Sequence, residues 1–118
     1  MLDFTALERA VLEEICKETQ DGGALERQLA TARVTRRENT GDGFFSWFAV
    51  DRTCAALTGR WRVLGNVHAA IEGLERQLLL TLFCDRDGYA DILEATTARE
   101  SSAGIDFSTV RFSINPPF

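Results

Sequence analysis

His68 is the single histidine of the chain, and on a regular strand it shares a face with Asn66 and Glu72. An imidazole titrates near neutrality, so a polar face holding one is a place to look for acid–base chemistry. A nucleophile or a base-orienting partner within reach would be needed, and the local sequence supplies neither. Cys54 could be activated by His68 only if the fold brings them together. Cys54, His68 and Cys84 lack the short spacings of a zinc site, so no metal is expected. Asp85-Arg86-Asp87-Gly88 has the start of a calcium loop without its later ligands or closing glutamate. Gly41-Asp42-Gly43 opens like a dinucleotide fingerprint, but the third glycine is missing and a strand follows where a helix is required. Asp91 and Glu94 fall on opposite faces of one strand and make no carboxylate pair. The chain therefore reads as having no catalytic residues and no cofactor, and leans away from an enzyme.

The elements that must position these residues are clearer. Thr5-Ala6-Leu7-Glu8 is a capping box, and Leu7, Val11, Leu12, Ile15 and Cys16 form an apolar stripe at helical spacing. Glu8, Glu13, Glu14 and Glu18 are expected to face water. Gly22-Gly23 should stop this helix, with a shorter one over 24–32 turning Leu25 and Leu29 inward. From Arg33 the period changes from helix to strand. Strands are expected over 34–39, 44–50, 62–71 with an interruption at Gly65, Leu78–Cys84, 89–95 and 107–114, with a connection over 51–59 carrying a helical turn near Cys54. Turns are expected at 72–75 and 85–88, and Pro116-Pro117 ends regular structure. The fold class is α+β: one domain over 1–118, with one or two N-terminal helices packed on a curved, mainly antiparallel sheet of about six strands.

Asn39-Thr40-Gly41-Asp42-Gly43 runs into Phe44, Phe45, Trp47 and Phe48, a strong hairpin signal. A two-residue turn, at Gly41-Asp42 or at Asp42-Gly43, puts Arg36 and Glu38 on one face with Phe45 and Trp47. It puts Thr35, Arg37 and Asn39 on the other, with Phe44, Ser46 and Phe48. Arg36 can then lie over the Trp47 ring as a cation–π contact. Both faces of this strand are apolar, and so are both faces of Leu78–Cys84. Such strands need cover on both sides. Two short helices can cover only one face of six strands. A curl of the sheet, a second copy, a protein partner or a small apolar ligand would have to cover the other.

The segment 82–94, Leu-Phe-Cys-Asp-Arg-Asp-Gly-Tyr-Ala-Asp-Ile-Leu-Glu, resembles a strand–turn–strand near the C-terminus of small single-domain bacterial proteins of uncharacterised families. The Asn39–Phe45 hairpin is similar to the same kind of protein. The resemblance implies a small bacterial protein and brings no activity with it.

Composition narrows the partners. The 118 residues are 45% apolar and 26% charged, with a net charge of -5, which fits a folded chain and disfavours nucleic acid. The longest apolar run is far too short to span a membrane, and the N-terminal residues are not expected to act as a signal peptide. Three widely spaced cysteines suggest reduced thiols and a cytoplasmic location. The reading is a binding or interaction protein that uses an apolar sheet face to form a homodimer or hold a protein partner. The alternative is a curved sheet with an apolar pocket, as a ligand-binding protein or small enzyme. The candidate binding residues are Arg36, Asn39, Phe45, Trp47, Asn66 and His68.

Overall fold

A computed structural model describes residues 3–59 and 62–117. Two helices, α1 (Ala6–Glu18) and α2 (Gly22–Thr31), precede six strands: β1 (Arg33–Asn39), β2 (Gly43–Ala49), β3 (Val63–Ile71), β4 (Leu78–Cys84), β5 (Ala90–Thr96) and β6 (Phe112–Ile114). The strands form one open sheet in the order β1-β2-β5-β4-β3-β6, antiparallel at every pairing. The expected α+β class holds, and the sheet does not close into a barrel.

Both helices lie on one face of the sheet. Val34, Phe44, Phe48, Val67, Ala69, Leu78, Leu80, Leu82, Leu93 and Ala95 turn toward them and are buried with Leu7, Val11, Ile15 and Leu25. The α1 cap forms as the sequence indicates. The Glu8 N–H donates to Thr5 Oγ1 at 3.1 Å, and the Thr5 N–H donates to Glu8 Oε1 at 2.7 Å. The hairpin closes with Gly41-Asp42 at its centre and the Thr40 N–H donating to the Gly43 carbonyl at 3.0 Å.

Several local readings need correction. Gly22-Gly23 begins α2 and does not merely stop α1. No helical turn forms at Cys54; its N–H closes a turn onto the Asp51 carbonyl. Strand β6 covers only three residues of the expected 107–114, because Phe107 leaves the sheet to pack on Phe44, ring centroids 4.7 Å apart. A bulge between Val34 and Arg36 expels Thr35 to solvent, and Val34 takes the core position opposite Phe48. The interruption read at Gly65 does form: a second bulge breaks β3 there, its φ of +78° suits glycine, and α1 approaches closely through Ile15.

Glu8 is the largest departure. It is 1% exposed, whereas the helix pattern turned it to water. Arg37 grips its carboxylate through Nε at 2.9 Å and Nη2 at 2.7 Å, and Ser46 Oγ donates to it as well. This ion pair ties the start of α1 to the β1–β2 hairpin. Burial pushes the Glu8 carboxyl up, but the Arg37, Ser46 and Thr5 hydrogen bonds together outweigh burial and hold it below the ordinary carboxylate value. Gln28, fully buried, plays a similar part for α2. Its Nε2 donates to the Ala55 and Gly88 carbonyls, and its Oε1 accepts from the Ala90 N–H.

Candidate functional site

The face of the sheet away from the helices is the candidate site, and the register assigns its residues. Directly paired residues of an antiparallel ladder share a face. Arg36 pairs with Trp47, Trp47 with Ile92, Ile92 with Phe83, and Phe83 with Val63. These five residues make one row across five strands, opposite to the core residues that alternate with them. The neighbouring row runs Glu38, Phe45, Glu94 and Thr81. A third holds Thr96, Leu79 and His68. Strand β4 shows the division plainly: Leu78, Leu80, Leu82 and Cys84 are buried, while Leu79, Thr81 and Phe83 are half-buried. Among the described residues no helix lies over this second face. Val63 is 52% exposed at its edge.

The aromatic end of the face is ordered by its own contacts. Phe45 and Trp47 stack with centroids 5.4 Å apart, and the Arg36 guanidinium sits 4.6 Å from the Trp47 ring centre. The Arg36–Trp47 contact is the one that hairpin parity indicates. Arg36 Nη2 also reaches Glu38 Oε2 at 3.3 Å, so these two charges largely cancel at the β1 edge. Glu94 is different. It stands on β5, the middle of the five strands, between Phe45 and Thr81, and its carboxylate makes no hydrogen bond or ion pair among the described residues.

The sequence candidates divide between places. Arg36, Phe45 and Trp47 cluster on β1 and β2. His68 lies on the same face opposite Leu79, but on β3. Three strand spacings separate β2 from β3, about 14 Å. Asn115 also fastens the His68 backbone, accepting its N–H at 2.9 Å and donating to its carbonyl at 2.6 Å. Asn66 is exposed at the Gly65 bulge. Glu72 lies beyond the end of β3, 3.7 Å from Arg111 in an exposed ion pair. Asn39 belongs to the helix side. Its Nδ2 donates to the Ser102 and Ile105 carbonyls, and its Oδ1 accepts from the Gly41 N–H and Ser102 Oγ, so it staples the 97–109 loop to the hairpin.

Leu79, Phe83, Ile92, Val63 and Glu94 complete the face. Alternation in Leu78–Cys84 marks Leu79 and Phe83 as a second apolar side. Their neighbours Ile92 and Val63 follow only from strand order. The cysteines are all free. Burial, with nearby carboxylates, pushes the Cys16 and Cys84 thiols up to about 11, so both are weak nucleophiles. Among the described residues no group of metal-ligating side chains assembles, and no helix is long and apolar enough to cross a membrane.

Comparison with protein-family models, with curated protein sequences and with solved structures finds no match to the chain.

Proposed function

We propose that this chain is a protein-docking module whose working surface is the open face of its sheet. The observation that carries the reading is the Arg36–Trp47–Ile92–Phe83–Val63 row, four apolar side chains and one arginine spanning five strands with no helix over them among the described residues. Apolar side chains that form a contiguous patch on a sheet favour burial against a second surface. Trp47 and Arg36, at one end of the row, are the residue types that anchor protein interfaces.

The sheet edges favour the face over edge-to-edge pairing. Strand β1 carries Arg33, Arg36, Arg37 and Glu38 and is broken by a bulge, while β6 has three residues and runs into Pro116. Charges, bulges and short strands with proline are the usual obstacles to strand addition. The pocket reading requires Arg36, Trp47, Asn66 and His68 to converge, and the strand order spreads them from β1 to β3, about 19 Å.

The test is gel filtration of the chain in a lysate of its own cells. Wild type is expected to elute in a complex that Phe83→Arg dissolves and Glu13→Arg, on exposed α1 surface, leaves intact. A wild-type complex indifferent to Phe83→Arg, or elution as a lone chain throughout, would overturn the reading.

A further inference from the structure

Glu94 decides what kind of surface fits this face. Among the described residues its carboxylate is unpartnered, in the middle strand between the apolar side chains of Trp47, Ile92 and Phe83, flanked by Phe45 and Thr81 across the ladder and two residues from Ile92. Covering the face strips water from that charge, which is costly unless the covering surface supplies a cation. Arg36 does not serve, since it lies two strands away against Glu38 and Trp47.

A second copy of the chain fits poorly. A two-fold axis running along β5 stacks Glu94 against its own copy. A two-fold running across the strands through the Arg36–Val63 row stacks Arg36 against its own copy. Either arrangement opposes like charges in a desolvated contact. The chain's net charge of -5 adds a general repulsion between copies and an attraction for basic partners.

Resting on the docking reading, we propose that the face receives an amphipathic helix of another protein, with a lysine or arginine on its apolar side that meets Glu94. The dimensions agree. Strands of seven residues run about 24 Å, the length of a helix of about 16 residues. A helix about 10 Å across, laid along β5, is as wide as the two strand spacings from β2 to β4, so it rests on Trp47 and Phe45 on one side and Phe83 on the other. Its apolar residues cover Ile92, and its cation sits over Glu94.

The probe is a phage-displayed library of random linear 16-residue peptides, selected on the immobilised full chain. Binders are sorted by loss of binding to Phe83→Arg and, as a second obstruction, to Thr81→Arg, each checked for native circular dichroism. The expected outcome is face-dependent binders that place a lysine or arginine among apolar residues at helical spacing and weaken about tenfold on Glu94→Gln. Face-dependent binders that are neutral or acidic, or indifferent to Glu94→Gln, would overturn the cationic helix and leave the docking reading standing. A dimer of the pure chain in sedimentation, split by Phe83→Arg, would overturn it in favour of a second copy. Recovery of no face-dependent binder at all would count against both.

Discussion

Glu8 and Arg37 form the most buried ion pair among the described residues. Replacing Glu8 by Gln leaves Arg37, only 27% exposed, against a partner without charge. The expected loss is about 3 kcal/mol by urea denaturation, at the low end for a broken buried pair because Arg37 keeps some contact with water. The pH dependence follows from the direction of the Glu8 shift. Its folded-state value lies below its unfolded one, so its contribution is complete above the ordinary carboxylate value and is lost as pH falls through the folded one. Acid titration of stability should therefore show a drop below about pH 4.5 that Glu8→Gln flattens. Among the thiols, Cys54 is half-buried while Cys16 and Cys84 are buried. Iodoacetamide at pH 8 is expected to alkylate Cys54 first, as read by peptide mass spectrometry; equal labelling of all three would contradict the packing. The helix pattern alone placed Glu8 on the wet side. A trace of its partner was nonetheless in the sequence: hairpin parity put Arg37 on the same face as Phe44 and Ser46, where a buried guanidinium needs an anion. That the anion would be Glu8 is a tertiary fact, since 29 residues separate them.

The elements legible in the sequence are those whose instructions are local. The Thr5 cap, the even-length hairpin turn and the alternation of Leu78–Cys84 each depend on a few neighbours, and each forms as read. The break at Gly65 was legible as an interruption of its strand, but the Val34–Arg36 bulge was not, because bulges exist to fit one strand to another. Gly65 shows how tightly. A Cβ there would lie 2.6 Å from Ile15 Cγ1, at a φ that side chains rarely adopt. Gly65→Ala is expected to cost about 2 kcal/mol, and Ile15→Val on that background should lose less than on wild type. Strict additivity would place the strain in the backbone alone. The 107–114 alternation misled for a related reason. Phe107 and Val110 do meet the core, but from a loop that crosses beneath the hairpin. Asn39 anchors that loop. Asn39→Ala should therefore lower stability by about 1–2 kcal/mol while leaving the open face and anything bound there unchanged. A loss of binding without loss of stability would return Asn39 to the site.

At the scale of the molecule, two helices cover one side of a six-stranded sheet and leave an apolar side over. That imbalance was legible from counting strands against helices. The location of the patch was not, because it depends on strand order: β5 inserts between β2 and β4 and so brings Ile92 between Trp47 and Phe83. His68 falls at the far strand for the same reason. Sequence proximity grouped the candidate residues by segment, and the sheet regroups them by row. The most direct measurement is site-specific photocrosslinking in the cells that make the protein. A benzophenone side chain is placed at Thr81 or Phe83 on the open face and at Glu13 or Glu26 on exposed helical surface. Discrete protein adducts are expected from Thr81 and Phe83 and not from the helical positions. Adducts from Glu13 or Glu26 with none from the open face would contradict the assignment of that face as the working surface.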